Sequence, residues 1–112
     1  MKKKHPKRKI GTINVRTCKD DEKLERVVQE VHKAKIEICA LQEVRRLNQG
    51  SATVKCDNAK YEIHWSGNSL ERHHGVGFII KIDPNVELIN VEYLNARVIV
   101  FYARSIDVYS KL

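Results

Sequence analysis

The chain of 112 residues lacks the features that define several classes of protein. Its three cysteines are odd in number and have no C-x-x-C spacing, so they indicate neither a disulfide framework nor a zinc site. No apolar run approaches the roughly 20 residues that a membrane-spanning helix needs. The apolar stretch after the basic start is too short and too often interrupted for a signal peptide. These absences predict a single intracellular folding unit with reduced thiols and no membrane contact.

The net charge of +7 is concentrated at one end of the chain. Residues 1–9 contain six lysines and arginines, whereas the other 15 basic residues nearly balance 14 acidic ones. We therefore expect a basic, disordered tail over residues 1–9 and a nearly neutral folded unit over residues 10–112. Such a tail is typical of a nuclear-localisation or phosphate-attracting segment, and a merely solvated terminus explains it equally well.

The first part of the chain has the pattern of a strand, a helix and a second strand. Residues 9–15 and 36–42 are short β-prone runs. Between them, apolar residues recur at i, i+3, i+4 and i+7, which predicts a helix over about residues 22–34 with these four on one face: Leu24, Val27, Val28 and Val31. Short connections favour a βαβ unit with parallel strands. Asn14 and Glu43 would then lie at the same, carboxyl, edge of the sheet.

The rest of the chain alternates β-prone runs with turn residues. Residues 44–60 show no sustained period and predict a long loop with some local structure. Five short strands are then expected in an antiparallel meander, over residues 61–65, 76–82, 86–93, 96–103 and 106–109. Asp83-Pro84-Asn85 predicts a turn, because all three are common turn residues. The sequence as a whole predicts an α/β (α+β) fold.

Three segments resemble motifs of the endonuclease/exonuclease/phosphatase superfamily. They are Ile10-Gly11-Thr12-Ile13-Asn14-Val15-Arg16-Thr17, then Leu41-Gln42-Glu43-Val44-Arg45, and then Ser66-Gly67 followed by Gly75-Val76-Gly77-Phe78. In residue identity, order and spacing, these segments resemble the branch that contains non-LTR retrotransposon endonucleases and craniofacial-development-protein-like sequences. The resemblance implies the N-terminal half of a DNase I-like four-layer α/β sandwich, and a metal-dependent endonuclease that acts on DNA.

The resemblance also implies a divalent-metal site. In the superfamily, the glutamate of the Leu-Gln-Glu motif binds Mg²⁺ or Mn²⁺, and the asparagine that ends the first strand helps to position the metal and the scissile phosphate. By this resemblance Glu43 and Asn14 are catalytic and metal-site residues, and oxygen ligands are those that such hard cations prefer. Arg16 and Arg45 are candidates for contact with substrate phosphates, and His74 lies in a polar loop that could touch DNA. For the two arginines, a solvent-facing role is the competing explanation.

Other features limit what the resemblance implies. Apurinic-site endonucleases of the superfamily usually have an acidic residue where this chain has Arg16, which favours a less site-selective nickase of the retrotransposon type. The superfamily's later half supplies a tyrosine, an Asp-x-Asn pair and an Asp-His pair. Tyr102, Tyr109 and His73 lack the neighbours of these motifs, and Asp83-Pro84-Asn85 comes too early in the order. We therefore expect a truncated domain with little or no turnover.

Two alternatives remain open. One is a non-catalytic nucleic-acid-binding remnant that uses the basic tail. The other is a phosphatase or phosphodiesterase of the same superfamily with a different substrate, such as an inositol phosphate, sphingomyelin or an RNA tail. The sequence indicates no obligate protein partner.

Overall fold

The computed structural model describes residues 8–18, 20–68 and 74–106. In chain order, these ranges contain β1 (Ile10–Asn14), α1 (Asp21–Lys33), β2 (Ile38–Gln42), β3 (Gln49–Cys56), β4 (Ala59–Ser66), β5 (Val76–Lys81), β6 (Val86–Tyr93) and β7 (Ile99–Ser105). Three predicted features lie outside the described residues: the tail over residues 1–7, His73, and the strand beyond Ile106 with Tyr109.

The strands form one mixed sheet and one hairpin. The five-stranded sheet has the order β1-β2-β5-β4-β3, in which β1 and β2 are parallel and the other neighbours are antiparallel. β6 and β7 pair with each other as an antiparallel hairpin. The predicted α/β (α+β) class, with a βαβ unit followed by antiparallel strands, is confirmed. No helix in the described ranges is long and apolar enough to cross a membrane.

Helix α1 follows the sequence prediction closely. The side chain of Asp20 caps it by accepting a hydrogen bond of 2.8 Å from the backbone N–H of Lys23. The four periodic residues are all buried: Leu24, Val27, Val28 and Val31. They pack on the sheet face that carries Leu41 and Ile63, which we call the helix face. Burying each such side chain is worth about 1.5–3 kcal/mol, so this contact is the main source of the helix's stability.

The opposite side of the sheet, which we call the hairpin face, is covered in part by β6 and β7. The rings of Phe78 and Phe101 stack with their centroids 4.0 Å apart. Tyr93 Oη lies 2.6 Å from Nδ1 of the buried His64. These contacts cover β4 and β5, whereas Ile10 on β1 remains 71% exposed.

Residues 44–60 do not form the predicted long loop. Residues 49–56 are strand β3, which pairs with β4 along its whole length. Its half-buried positions alternate with exposed ones, but the side chains on the buried side are small, beginning with Gly50 and Ala52. A Cβ at Gly50 would collide with the ring of Trp65, so the close approach of these strands requires glycine. Small inward residues leave little hydrophobic signal in the sequence.

The predicted break at Arg104 and Ser105 is also wrong, because both residues belong to β7. Arg104 pairs with Glu87 across the hairpin, and Arg104 Nη2 lies 2.8 Å from the Glu87 carboxylate. The strand begins three residues later than the predicted start at Ala96. Asn95 Oδ1 accepts hydrogen bonds from the backbone N–H groups two and three residues later in the chain and holds this segment in a turn.

The predicted turn at Asp83-Pro84-Asn85 is confirmed. Asp83 Oδ1 accepts a hydrogen bond of 2.8 Å from the backbone N–H of Asn85. Asp83 Oδ2 lies 2.9 Å from Arg8 Nη1, which also lies 2.9 Å from Glu37 Oε2. Lys9 Nζ donates to the carbonyl of Ala34. Arg8 and Lys9, which the sequence groups with the tail, thus contact the folded unit.

Candidate functional site

The predicted site residues come together at one edge of the sheet. Asn14 pairs in register with Gln42, and the N–H of Val15 donates a hydrogen bond of 3.0 Å to the Gln42 carbonyl. Because β1 and β2 are parallel, Asn14 and Glu43 both lie at the carboxyl ends of their strands, as the sequence predicts. We call the five predicted residues around this point the edge site: Asn14, Arg16, Glu43, Arg45 and His74.

Backbone hydrogen bonds tie together the three segments that carry the edge site. The N–H of Cys18, after β1, donates to the carbonyl of Val44, after β2. The N–H groups of Val44 and Arg45 donate to the carbonyls of Gly75 and His74, at 3.0 and 2.8 Å. Val44 itself is buried in the core. The polar side chains of the edge site therefore belong to segments that are held in place by backbone hydrogen bonds and by the packing of Val44 in the core.

Four of the five edge-site residues have left-handed backbone conformations. The φ angles are 60° at Arg16, 55° at Glu43, 55° at Arg45 and 60° at His74. For residues other than glycine this conformation costs about 1–2 kcal/mol each. Such strain persists only where the surroundings enforce it, and it concentrates at functional sites. Its concentration here distinguishes this edge from an ordinary solvated end of a sheet.

The oxygen atoms of the edge site are partly free to bind a ligand. The side chains of Glu43 and Arg45 are 42% and 44% exposed, and Glu43 Oε1 lies 3.9 Å from Arg45 Nη2. Asn14 Oδ1 accepts a hydrogen bond of 3.0 Å from the backbone N–H of Arg16, which orients the amide. An amide oxygen has a second lone pair, and the carboxylate has further acceptor positions. The site thus presents acceptor oxygens beside guanidinium groups.

The oxygen atoms of Glu43 and Asn14 are of the chemical type that Mg²⁺ and Mn²⁺ prefer. In the part of the chain that the structure describes, Glu43 belongs to no group of three or more His, Cys, Asp or Glu side chains that could hold an ion. Mg²⁺ keeps several of its waters and commonly binds one or two carboxylates together with substrate phosphate. Among the described residues, the edge site offers the Glu43 carboxylate and the Asn14 amide oxygen to such a cation, and water and phosphate would have to supply the other ligands.

Arg46 is not among the site residues that the sequence predicts, although it organises their surroundings. Its guanidinium donates to the Cys18 carbonyl at 2.9 Å and to Asp21 Oδ1 at 2.8 Å. It also lies 4.3 Å from the ring centroid of Trp65, a cation–π contact. Arg46 therefore joins the segment after β1, the start of α1 and strand β4. In sequence it is one more arginine after Arg45, and no spacing reveals its role.

Comparison with known proteins finds no match to the chain among protein-family models, curated proteins or solved structures.

Proposed function

We propose that the chain is the N-terminal portion of a divalent-metal-dependent endonuclease, a phosphodiesterase that acts on DNA. The observation that carries the proposal is the convergence of Asn14 and Glu43 at the carboxyl ends of two paired parallel strands, on a backbone strained at Glu43 and at both neighbouring arginines. The superfamily motifs supply the type of reaction. The proposed fold is the first half of a DNase I-like sandwich, in which a second sheet would cover β1 and β2 on the hairpin face.

In this proposal each residue of the edge site has a separate task. Glu43 would bind the metal through its carboxylate, and Asn14 would place its amide oxygen beside the metal and the scissile phosphate. Arg16 and Arg45 would attract the phosphates of the DNA backbone, and His74 would contact the same DNA strand. A bound Mg²⁺ or Mn²⁺ would stabilise charge on the phosphoryl oxygens and activate water. The groups that the superfamily uses to remove a proton from that water have no counterpart in these 112 residues, so we propose that the chain alone is inactive.

Mn²⁺ titration followed by nuclear magnetic resonance would test the metal site directly. Paramagnetic broadening should concentrate at the amide signals of residues 14–16, 43–45 and 74–76. Glu43→Gln removes the charge and keeps the shape, and it should abolish the broadening. Glu25→Gln, at an exposed helix position, is the matched control and should leave it unchanged. Broadening that survives in Glu43→Gln would refute the assignment of Glu43 as a metal ligand.

A second candidate function is nucleic-acid binding without catalysis. The exposed side chains of Arg16, Arg45 and His74 at one edge favour it, since they would meet phosphates without a metal. Binding to a DNA duplex in the presence of a chelator, with a steep dependence on salt, would support this candidate. Deleting residues 1–7 separates the tail from the edge, because Arg8 and Lys9 contact the folded unit and should stay. Loss of most binding on that deletion would assign the affinity to the tail.

The basic tail also carries the proposal of a nuclear location. Lys2, Lys3, Lys4 and Lys7 lie close together in residues 1–7, as in segments that direct nuclear import. Fusing residues 1–9 to a fluorescent reporter would test this, with the same segment carrying alanines at the four lysines as control. A uniform distribution of both fusions would remove the tail as a reason to place the protein in the nucleus.

A further inference from the structure

Three side chains capable of binding a metal meet at the opposite edge of the sheet from Glu43. His32 lies in the last turn of α1, Cys56 ends β3, and Asp57 begins the turn to β4. The possible ligand atoms of these three residues all lie within 4.8 Å of one another. This edge holds the amino end of β2, where the carbonyl of Glu37 accepts a hydrogen bond from Lys81. We call these three residues the His-Cys-Asp cluster.

We propose that the His-Cys-Asp cluster binds Zn²⁺, or a first-row transition cation of similar softness, independently of the edge site. An imidazole, a thiolate and a carboxylate are the ligand types that zinc uses in proteins, whereas Mg²⁺ avoids sulfur. Three protein ligands leave a fourth tetrahedral position for water or another small ligand. Binding replaces the thiol proton of Cys56 with the metal and releases that proton to solvent.

The observed distances are close to those that a metal would impose. His32 Nε2 lies 2.9 Å from Asp57 Oδ2. Two ligand atoms on one tetrahedral zinc are about 3–4 Å apart, given metal–ligand distances of about 2.0–2.3 Å. Zinc would therefore open the His32–Asp57 contact by about 0.5 Å and draw the Cys56 sulfur inward.

Tyr61 supports the imidazole from behind, as an outer partner does for many metal-binding histidines. Tyr61 Oη lies 2.8 Å from His32 Nδ1, and the two rings meet edge to face with centroids 5.8 Å apart. Coordination through Nε2 requires the imidazole proton on Nδ1, and Tyr61 Oη is placed to accept it.

The cluster is both anchored and open to solvent. Cys56 and Ala59 are paired in the ladder, so the connecting turn has only two residues, and Asp57 adopts a φ of 55° there. The His32 side chain is 26% exposed and that of Asp57 is 82% exposed, which leaves a path for an ion. Lys60 and Lys81 line a cavity together with His32 and Asp57. Their positive charges oppose a cation, and the thiolate and carboxylate offset the two charges of zinc.

The simpler explanation is that His32 and Asp57 form a hydrogen-bonded pair that holds the β3–β4 hairpin to α1 without a metal. The two explanations differ at Cys56. A hydrogen-bonded pair does not involve the sulfur. In a metal site, the visible spectrum of a bound cobalt ion should depend on the Cys56 sulfur. A cobalt titration therefore separates them.

Co²⁺ added to the full chain, freed of metal with a chelator, should give the visible bands of tetrahedral cobalt and a thiolate-to-cobalt charge-transfer band. Zn²⁺ should bleach both at stoichiometric concentration, and excess Mg²⁺ should not. Cys56→Ser should remove the charge-transfer band, whereas Cys39→Ala, which changes a thiol buried in the core, should keep it. No charge-transfer band in the wild-type chain, or its persistence in Cys56→Ser, would overturn the proposal.

Two further variants guard against misfolding as the cause of a lost signal. Asp57→Asn suits the left-handed turn position and should weaken Zn²⁺ binding at least about tenfold, with the circular dichroism spectrum unchanged. Glu43→Gln should leave Zn²⁺ affinity unchanged, because the two sites lie at opposite edges of the sheet. Equal Zn²⁺ affinity of Asp57→Asn and the wild type would remove Asp57 from the site, and with it the three-ligand proposal.

Discussion

The two faces of the five-stranded sheet are completed to different degrees. On the helix face, α1 covers an apolar surface that includes Ile79, which is fully buried. On the hairpin face, β6 and β7 cover Ile80 but leave Ile10 open to solvent. Both faces are built by the same alternation along the strands, so the difference lies in what covers them. The helix face is covered by α1, whereas among the residues that the structure describes the hairpin face is covered over β4 and β5 and uncovered at β1.

The edge site lies beside the uncovered part of the hairpin face, at β1. Asn14 and Thr12 belong to that face of β1, and Thr12 Oγ1 accepts a hydrogen bond from Gln42 Nε2. A second sheet packed on β1 and β2 would meet these polar side chains, as the proposed sandwich requires. In that proposed arrangement, the second sheet would cover both the exposed part of β1 and the edge site.

Isoleucine truncation should sharpen the comparison most. Ile79→Ala removes a side chain from the helix face and should lower the free energy of unfolding by about 2–5 kcal/mol. Ile10→Ala removes the same atoms from an exposed position and should change it by less than about 0.5 kcal/mol. Ile80→Ala removes a side chain that is only 3% exposed, so its loss should be close to that of Ile79→Ala. Chemical denaturation of the three variants measures the order, and equal losses for Ile79→Ala and Ile10→Ala would erase the distinction between the faces.

Self-association is the next expected effect, with free energies comparable to the stability of the domain. Ile10, Leu94 and Tyr102 are exposed, and β7 pairs only with β6 among the described strands. Covering each such side chain is worth about 1.5–3 kcal/mol, and an open strand edge invites pairing with another copy. We expect the chain to be marginally stable or to associate as concentration rises.

Size-exclusion chromatography and concentration-dependent thermal unfolding would measure this association. Ile10→Lys and Tyr102→Lys should reduce it, whereas Glu25→Lys, on the exposed side of α1, should have little effect. A wild-type chain that stays monomeric and melts cooperatively at all concentrations would show that the hairpin face is sufficiently covered as it is.

A smaller effect should come from the ionic contacts at the border of the sheet and hairpin. The hydrogen bond from the N–H of Asn85, together with Arg8, holds the pKa of Asp83 below its usual value. Because the folded pKa is depressed, this contribution is present above the unfolded pKa, near 4, and is lost as pH falls through the lower folded value. Asp83→Asn should cost about 1 kcal/mol or less at neutral pH and progressively less below about pH 4. Urea unfolding at several pH values checks this, with Glu87→Gln as the control at an exposed ion pair.

The βαβ unit could be predicted because its signals are local and strong. Leu24 to Val31 repeat with the period of a helix, Asp20 is a good N-cap, and both flanking runs are β-prone. The parallel pairing then places Asn14 and Glu43 at one edge by topology alone. This is why the position of the edge site was within reach of the sequence.

The remaining features depend on contacts between distant segments. β3 is an edge strand whose inward residues are small, and its position follows from pairing with β4. Arg46 acts on Cys18 and Trp65, which lie far from it in sequence. The His-Cys-Asp cluster forms only because α1 packs against the β3–β4 hairpin, which brings together residues 25 positions apart. Such convergence has no characteristic spacing.

The smallest expected effect is on catalysis. Measuring it tests whether the uncovered part of the hairpin face matters to the proposed function. The chain should not nick supercoiled plasmid with Mg²⁺ or Mn²⁺ above the rate of its Glu43→Ala variant. General-base and charge-stabilising groups each typically contribute orders of magnitude in rate, and the proposed site would supply a metal ligand without them. Agarose-gel conversion of supercoiled to open-circular plasmid measures the difference. Glu25→Ala controls for a contaminating nuclease, because it should purify like the Glu43 variant. The prediction would be wrong if the wild type and Glu25→Ala nicked the plasmid and Glu43→Ala did not. These 112 residues would then contain a complete active site, and the uncovered part of the hairpin face would not be needed for catalysis.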